Sequence, residues 1–300
     1  MTDVAHLPST VRLGDRDVRR LGFGAMQLPG PGVWGAPRDP DVARAVLRRA
    51  VALGVTLIDT SWYYGPEVAN RLIAEALYPY PEELVLATKL GGTRDPDASW
   101  GIALRPDELR AGCETDLRTL RLERLEVVHL RWTRGADVPF REALDAMIAL
   151  QAEGKIAHLG LSNVTLPQLE DALARTPLVS VENLYNVAAG ERRLAHLRQS
   201  VVEQQEAVLA LCEARGLAYL PFYPLAIPYA GALEAPALTA IAARRGVSEA
   251  QVAIAWLLAR SPAMLPIPGT SSLAHLYDNW AARQLALSPE EIAAITAARA

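Results

Sequence analysis

Residues 55–89 read VTLIDTSWYYGPEVANRLIAEALYPYPEELVLATK. Val55–Asp59 is a β-branched run behind Gly54, which reads as a strand. Glu67–Leu77 carries apolar residues at helical spacing. Glu83–Thr88 returns to a short apolar run, a further strand. Strand, helix and strand in one stretch make a βαβ unit, and such units build parallel sheets. The strands are apolar throughout rather than alternating, as expected of strands covered on both faces.

The same alternation extends both ways. Upstream, Leu21–Gln27 reads as a first strand and Asp41–Leu53 as an amphipathic helix that Gly54 ends. Downstream, a helix from Pro106 to about Arg121 precedes the strand Leu125–Leu130, and Phe140–Glu153 is a helix stopped by Gly154. Lys155–Leu161 and Leu178–Val181 are strands around the helix Leu166–Arg175. A helix over Val201–Arg215 leads to the strand Leu217–Phe222. Helices over Ala235–Arg245 and Ser248–Leu258 precede an eighth strand, Ala263–Pro268, and helices close the chain. Eight such units predict an α/β fold, a (β/α)8 TIM barrel, rather than an open doubly wound sheet. Residues 1–20 are expected to form a hairpin under the barrel floor, turning at Gly14-Asp15. Residues 1–300 then make a single domain.

Composition agrees with this reading and excludes others. Of 300 residues, 51% are apolar types and 21% charged, which argues against a disordered chain. A net charge of −4 offers no basic excess for a nucleic-acid backbone, so none is expected as a partner. No apolar run reaches the ~18 residues of a membrane span, and MTDVAHLPST has no signal-peptide pattern. Cys113 and Cys212 give neither a disulfide framework nor metal spacing, which suits a reducing cytoplasm. His6, His129, His158, His196 and His275 show no ligand spacing, so no metal is expected. No G-x-G-x-x-G follows the first strand, against a Rossmann site, and no G-x-S-x-G elbow appears.

Active sites of such barrels lie at the carboxyl ends of the strands. Those ends are Gly24-Ala25, Asp59, Lys89, Arg131, Ser162-Asn163, Glu182, Phe222 and Gly269. Asp59, Lys89 and Tyr64 can meet at the mouth. There a lysine beside the phenol is expected to lower its pKa, and the tyrosine could exchange a proton with a carbonyl oxygen. A structural ion pair with an unrelated tyrosine is the plainer alternative.

LGFGAMQL, LIDTSWYYG, LATKLGG, HLGLSNV and LPIPGTSSLAHLYDN, in this order, resemble the aldo-keto reductase family. The match runs from about Leu21 to Asn279. It implies an NAD(P)H-dependent carbonyl reductase of a small aldehyde or ketone, with Asp59, Tyr64 and Lys89 at three of four catalytic positions. At the fourth the family has a histidine on strand four, where this chain has Arg131. His129 lies two residues earlier on the same face, one layer deeper. Arg131 cannot give up its proton, so Tyr64 remains the acid. Family members similar to pyridoxal reductases carry arginine here, which points to a ring-bearing substrate. Trp62, Tyr63, Trp100 and Trp132, with His129, are the expected pocket walls.

For the cofactor, the resemblance implies contacts from Gly24, Ala25, Met26 and Asp59. Ser162 and Asn163 are implied to hold the nicotinamide carboxamide. Glu182 replaces the family's glutamine there and could accept from the amide. Phe222 would stack on the ring, beside Pro224 and Leu225. The turn Gly269, Thr270, Ser271, Ser272 leads into a helix N-terminus, an anion site from backbone N–H groups. The family's basic residues are missing here, with His275 at the place of one. Asp278 and Asn279 match the adenine positions. NADPH is the cofactor this pattern implies, with NADH as the alternative and His275 contributing to the choice. A lyase or dehydratase on the same barrel, or a nucleotide-binding sensor without turnover, are the competing functions.

Overall fold

The computed structural model describes residues 8–187, 204–225 and 236–298. The first residues of the expected N-terminal hairpin segment, the start of the 201–215 helix, Ala235, His6 and His196 lie outside them.

The hairpin is present, with β1 (Thr10–Leu13) antiparallel to β2 (Arg16–Arg19) and Gly14 at positive φ in the turn. The parallel strands begin with β3 (Phe23–Gly24), β4 (Leu57–Asp59) and β5 (Val85–Leu90). A short antiparallel pair, β6 (Gly92–Arg94) with β7 (Trp100–Ile102), follows in the loop. No apolar pattern announced this pair. The sheet continues through β8 (Leu125–Arg131), β9 (Ile156–Ser162), β10 (Ser180–Leu184) and β11 (Ala218–Phe222). Helices α1 (Pro40–Ala52), α2 (Val68–Leu77), α3 (Pro106–Leu120), α4 (Phe140–Ala152), α5 (Leu166–Leu173), α6 (Gln205–Arg215), α7 (Pro236–Arg245), α8 (Glu249–Arg260), α9 (Leu273–Ala281) and α10 (Pro289–Ala297) complete the described elements. Asp39 starts α1, its carboxylate accepting from the Asp41 and Val42 N–H groups, with Pro40 in the first turn.

Two expected strands are corrected. Leu21–Gln27 is strand only at Phe23–Gly24, and Ala25–Gln27 turns into a 3-10 helix. Residues 263–268 form no full ladder, yet they bridge the gap between β11 and β3. On one side Leu265 donates to Tyr219 and Tyr219 to Ala263, at 2.9 and 2.8 Å. On the other, Pro266 and Pro268 accept from Gly22 and Gly24 at 2.9 and 3.4 Å. A proline has no N–H to return, so this seam carries half a ladder.

The inner face of the sheet changes character from floor to mouth. Residues two apart share a face. Leu57 is followed by Asp59, Ala87 by Lys89, Val127 by His129 and then Arg131, and Ser180 by Glu182. At the floor, Leu57, Val85, Ala87, Val127, Leu220, Leu265 and Ile267 pack into one cluster with Leu13 and Val18 of the hairpin. The hairpin thus plugs the barrel, each large apolar side chain contributing ~1.5–3 kcal/mol by burial. The second core lies between sheet and helices, around Ile58, Leu86, Val128 and Leu161. Among the described residues the polar side chains of the inner face gather at the upper layers and build the site, apart from His158, which meets the hairpin turn at the floor.

Candidate active site

Asp59 ends β4, and the turn after it is held from below. The Thr60 N–H donates to Ala87 O at 2.8 Å, and the Ser61 hydroxyl donates to Lys89 O at 3.2 Å. Gly65 has φ +79°, and a Cβ there would lie 2.7 Å from Pro29 Cβ, so only glycine permits this close turn. The result brings Tyr64 back over Lys89, whose Nζ lies 5.3 Å from the phenol ring centroid.

A buried polar network braces the same corner. The Thr60 hydroxyl donates to Asn70 Oδ1 at 2.9 Å, and Asn70 Nδ2 donates to Asp116 Oδ1 at 2.6 Å. The Thr88 hydroxyl donates to Asp116 Oδ2 at 2.8 Å. These bonds tie the ends of β4 and β5 to α2 and α3. Burial pushes the Asp116 carboxyl up to about 7, against the opposing hydrogen bonds from Thr88 and Asn70. The folded protein therefore holds this proton more tightly than the unfolded chain, whose Asp titrates near ~3.9. Stability from this group is present at low pH and is lost as pH rises through about 7. Melting temperature is expected to fall between about pH 4 and 7 and to level off above, and Asp116→Asn should make that fall shallower. An unchanged slope in the variant would exclude Asp116 as its source.

Four titratable groups meet inside the barrel. Lys89 Nζ donates to Asp59 Oδ1 at 2.5 Å and to Thr60 O at 3.2 Å, and lies 3.4 Å from Glu182 Oε1. His129 Nδ1 lies 3.5 Å from Glu182 Oε2, and His129 Nε2 shares a 2.9 Å hydrogen bond with the Ser180 hydroxyl. That bond crosses Gly160, where a Cβ would sit 2.5 Å from His129 Cδ2 and 2.7 Å from Ser180 Oγ. Gly160 is therefore the space in which the imidazole lies. Asp59, His129 and Glu182 bring ligand atoms within 4.8 Å of one another, but the Lys89 ammonium already stands against both carboxyls.

Burial works against every charge here. It would lower Lys89, but Asp59 and Glu182 outweigh it and hold the ammonium well above its ordinary range. Burial raises Glu182 to about 8, reinforced by the Asp59 charge and offset by Lys89. Burial raises Asp59 as well, but Asp59 sits closer to the ammonium, which favours charge on it over Glu182. Burial and Lys89 together push His129 down to about 3, so it is neutral. Burial also holds the Tyr64 phenol well above its ordinary range, although Lys89 opposes this. The expected lowering of the Tyr64 pKa is thus corrected: desolvation exceeds the attraction of Lys89, and the phenol keeps its proton.

The other expected residues take varied places. Arg131 ends β8, half-buried at the mouth, and donates to the Thr133 hydroxyl at 2.8 Å. Ser162 faces it across the β8–β9 register, and both Ser162 and Asn163 are buried. Asn163 adopts φ 61° and donates from Nδ2 to Trp132 O at 2.7 Å. Glu182, expected against a carboxamide, instead turns its carboxyl to Lys89 and His129. His129, expected at a substrate wall, is fully enclosed below the mouth. Among the aromatic walls, Trp132 is half-buried with its ring edge-on to Phe140. Tyr63 is buried against Gly92, and Trp62 packs on α3, its indole nitrogen over Gly112. Trp100 is exposed on the short hairpin, stacked 4.0 Å under Arg94.

A groove of about 420 Å³ runs beside the seam between β3 and residues 263–268. Met26, Gln27, Arg38, Tyr223 and Ser271 are among its walls. Gly24 and Gly269 meet at its edge, where a Cβ on Gly269 would lie 2.4 Å from Gly24 O. Ala25 and Pro224 are buried, and Phe222 and Leu225 half-buried. The Ser272 N–H donates to the Thr270 hydroxyl at 3.0 Å and its side chain caps α9 at the His275 N–H. His275 is exposed and Asn279 buried, while Asp278 accepts from the Ser248 hydroxyl at 2.5 Å. Ser271 and Arg38 line the groove, and Ser271 continues into the hydroxyl turn that starts α9, a setting that suits a phosphate-bearing dinucleotide. Arg38, which lines the groove, carries no pattern in the sequence that sets it apart from other loop arginines.

The aldo/keto reductase family model matches residues 20–300. Pyridoxine 4-dehydrogenase of Escherichia coli K12 is 44% identical over 294 residues, covering 96% of this chain and 97% of that one. An uncharacterized oxidoreductase of Schizosaccharomyces pombe is 39% identical over 286 residues, covering 95% and 88%. An aldo-keto reductase from Klebsiella pneumoniae, solved in complex with NADPH, superposes with a TM-score of 0.75 at 27% identity, covering 97% and 95%. No described helix is long and apolar enough to cross a membrane.

Proposed function

The chain belongs to the aldo/keto reductase family, and from that premise we propose that it reduces a ring-bearing aldehyde of the pyridoxal type with NADPH. The observation that carries the reading is the buried trio itself: a proton-bearing phenol, Tyr64, over a Lys89 ammonium fixed by Asp59. The relative named pyridoxine 4-dehydrogenase supports the substrate class, and the Klebsiella complex supports the cofactor.

When bound, a reduced nicotinamide supplies the hydride. Ser162, Asn163, Phe222 and the seam at Gly24–Met26 would hold its nicotinamide half. The hydroxyls of Thr270, Ser271 and Ser272, with Arg38 and His275, would hold its phosphates. Tyr64 donates its proton to the carbonyl oxygen as charge develops there. Lys89 stabilises the phenolate that remains, and Asp59 keeps the ammonium in place. Arg131, at the mouth, binds an anionic group beside the carbonyl, such as a ring phenolate. The closed floor and the buried inner layers keep water from the reacting oxygen.

Steady-state NADPH oxidation across a panel of aldehydes tests the reading. Pyridoxal is expected to give the highest kcat/KM and neutral aliphatic aldehydes lower values. Product formation without NADPH consumption would make the protein a lyase. Cofactor binding with no turnover of any aldehyde would make it a sensor.

A further inference from the structure

The inner cluster holds one more acid than the reaction just described uses. Glu182 lies in the middle of β10, with Ser162 of β9 and Leu220 of β11 beside it in register. Its carboxyl faces Lys89 from β5, at 3.4 Å, and His129 from β8, at 3.5 Å. Asp59 from β4 and Arg131 at the end of β8 complete the charged groups that act on it. Asp59 claims the ammonium at the shorter distance, 2.5 Å. One enclosed ammonium cannot balance two enclosed carboxylates, and the imidazole is neutral. The excess charge is relieved most simply by a proton on the more distant carboxyl.

We infer that Glu182 is a positioning residue that stays protonated beside Lys89, so that the ammonium answers to one carboxylate, Asp59, and keeps its charge for the Tyr64 phenolate formed during reduction. This rests on the reductase reading above. The Tyr64 O–H bond breaks as the product O–H bond forms, and water entering the mouth once product has left returns a proton to the Tyr64 phenolate, so one proton is consumed per hydride. Glu182, enclosed below, keeps its own proton throughout the cycle. The direction of the Glu182 shift, up to about 8, agrees with a carboxyl that is loaded at neutral pH.

Two measurements test the inference. The first uses infrared titration of the cofactor-free protein labelled with 13C-glutamate. One glutamate carboxyl is expected to stay protonated at pH 7, to titrate near pH 8, and to be missing from Glu182→Gln. The label leaves Asp59 and Asp116 silent. The second is the pH profile of aldehyde reduction. Wild-type kcat is expected to fall about tenfold per pH unit above about pH 8, as loss of one required proton dictates. Glu182→Gln should lose that limb and vary by about twofold or less between pH 7 and 9. No protonated glutamate at pH 7 in the wild-type protein overturns the inference, whether or not the variant folds. So does a Glu182→Gln profile that overlays the wild-type one. Absence of turnover at every pH overturns the reductase reading instead, and the infrared signal still reports where the proton sits.

Discussion

Tyr64→Phe is expected to lower kcat for aldehyde reduction by ~10²–10⁴-fold, the usual contribution of a positioned general acid. NADPH affinity should stay within about threefold, because the phenol oxygen takes no part in gripping the cofactor. The phenol is enclosed and its proton is tightly held, so the wild-type acid is fully loaded at neutral pH. The ring itself packs edge-on to Tyr63 at 5.4 Å, a contact that phenylalanine preserves. Stability should therefore change little and the loss should be read as chemistry. Stopped-flow turnover together with fluorescence titration of NADPH separates the two. Turnover close to wild type would remove Tyr64 from the role of proton donor.

Arg131→His should separate substrates by charge. The guanidinium is half-buried at the mouth and is steadied by the Thr133 hydroxyl at 2.8 Å, so it presents a fixed planar fork. Loss of one charge-assisted bond to a phenolate or carboxylate costs roughly 1.5–3 kcal/mol, or ~10–150-fold in kcat/KM for an anionic aldehyde. A neutral aldehyde should react as fast as before or faster. An equal fall for both would make Arg131 a general catalytic or structural group. No change for either would show that it does not reach the substrate.

Much of the barrel was legible because its outer strand faces and helix stripes are apolar and regular. The strand limits were less so, for a physical reason. Lys89 and Glu182 lie inside β5 and β10, although charged residues look like strand ends in a hydrophobic pattern. They are tolerated there because Asp59 and Glu182 both face the Lys89 ammonium from neighbouring strands, a tertiary fact that no local window carries. Pro266 and Pro268 misled in the opposite sense: the apolar run is real, but half its hydrogen-bond donors are missing. The Asn70–Asp116 brace left a readable trace, since Asp116 stands on the apolar stripe of Leu109, Cys113 and Leu120. A carboxylate on such a stripe needs a buried partner. The direction in which Trp62 and Tyr63 turn had no such trace, because it depends on Gly92 and Gly112 of other segments.

The central claim is hydride transfer to a pyridoxal-type aldehyde with the proton drawn from this cluster. Single-turnover reduction of pyridoxal by NADPH deuterated at the transferring carbon tests it most directly, read by mass spectrometry of the product. The account predicts an alcohol bearing one deuterium on the former aldehyde carbon, one NADPH consumed per product, and none of this in Tyr64→Phe on the same time scale. Unlabelled product, product without NADPH oxidation, or no product from any aldehyde would contradict it.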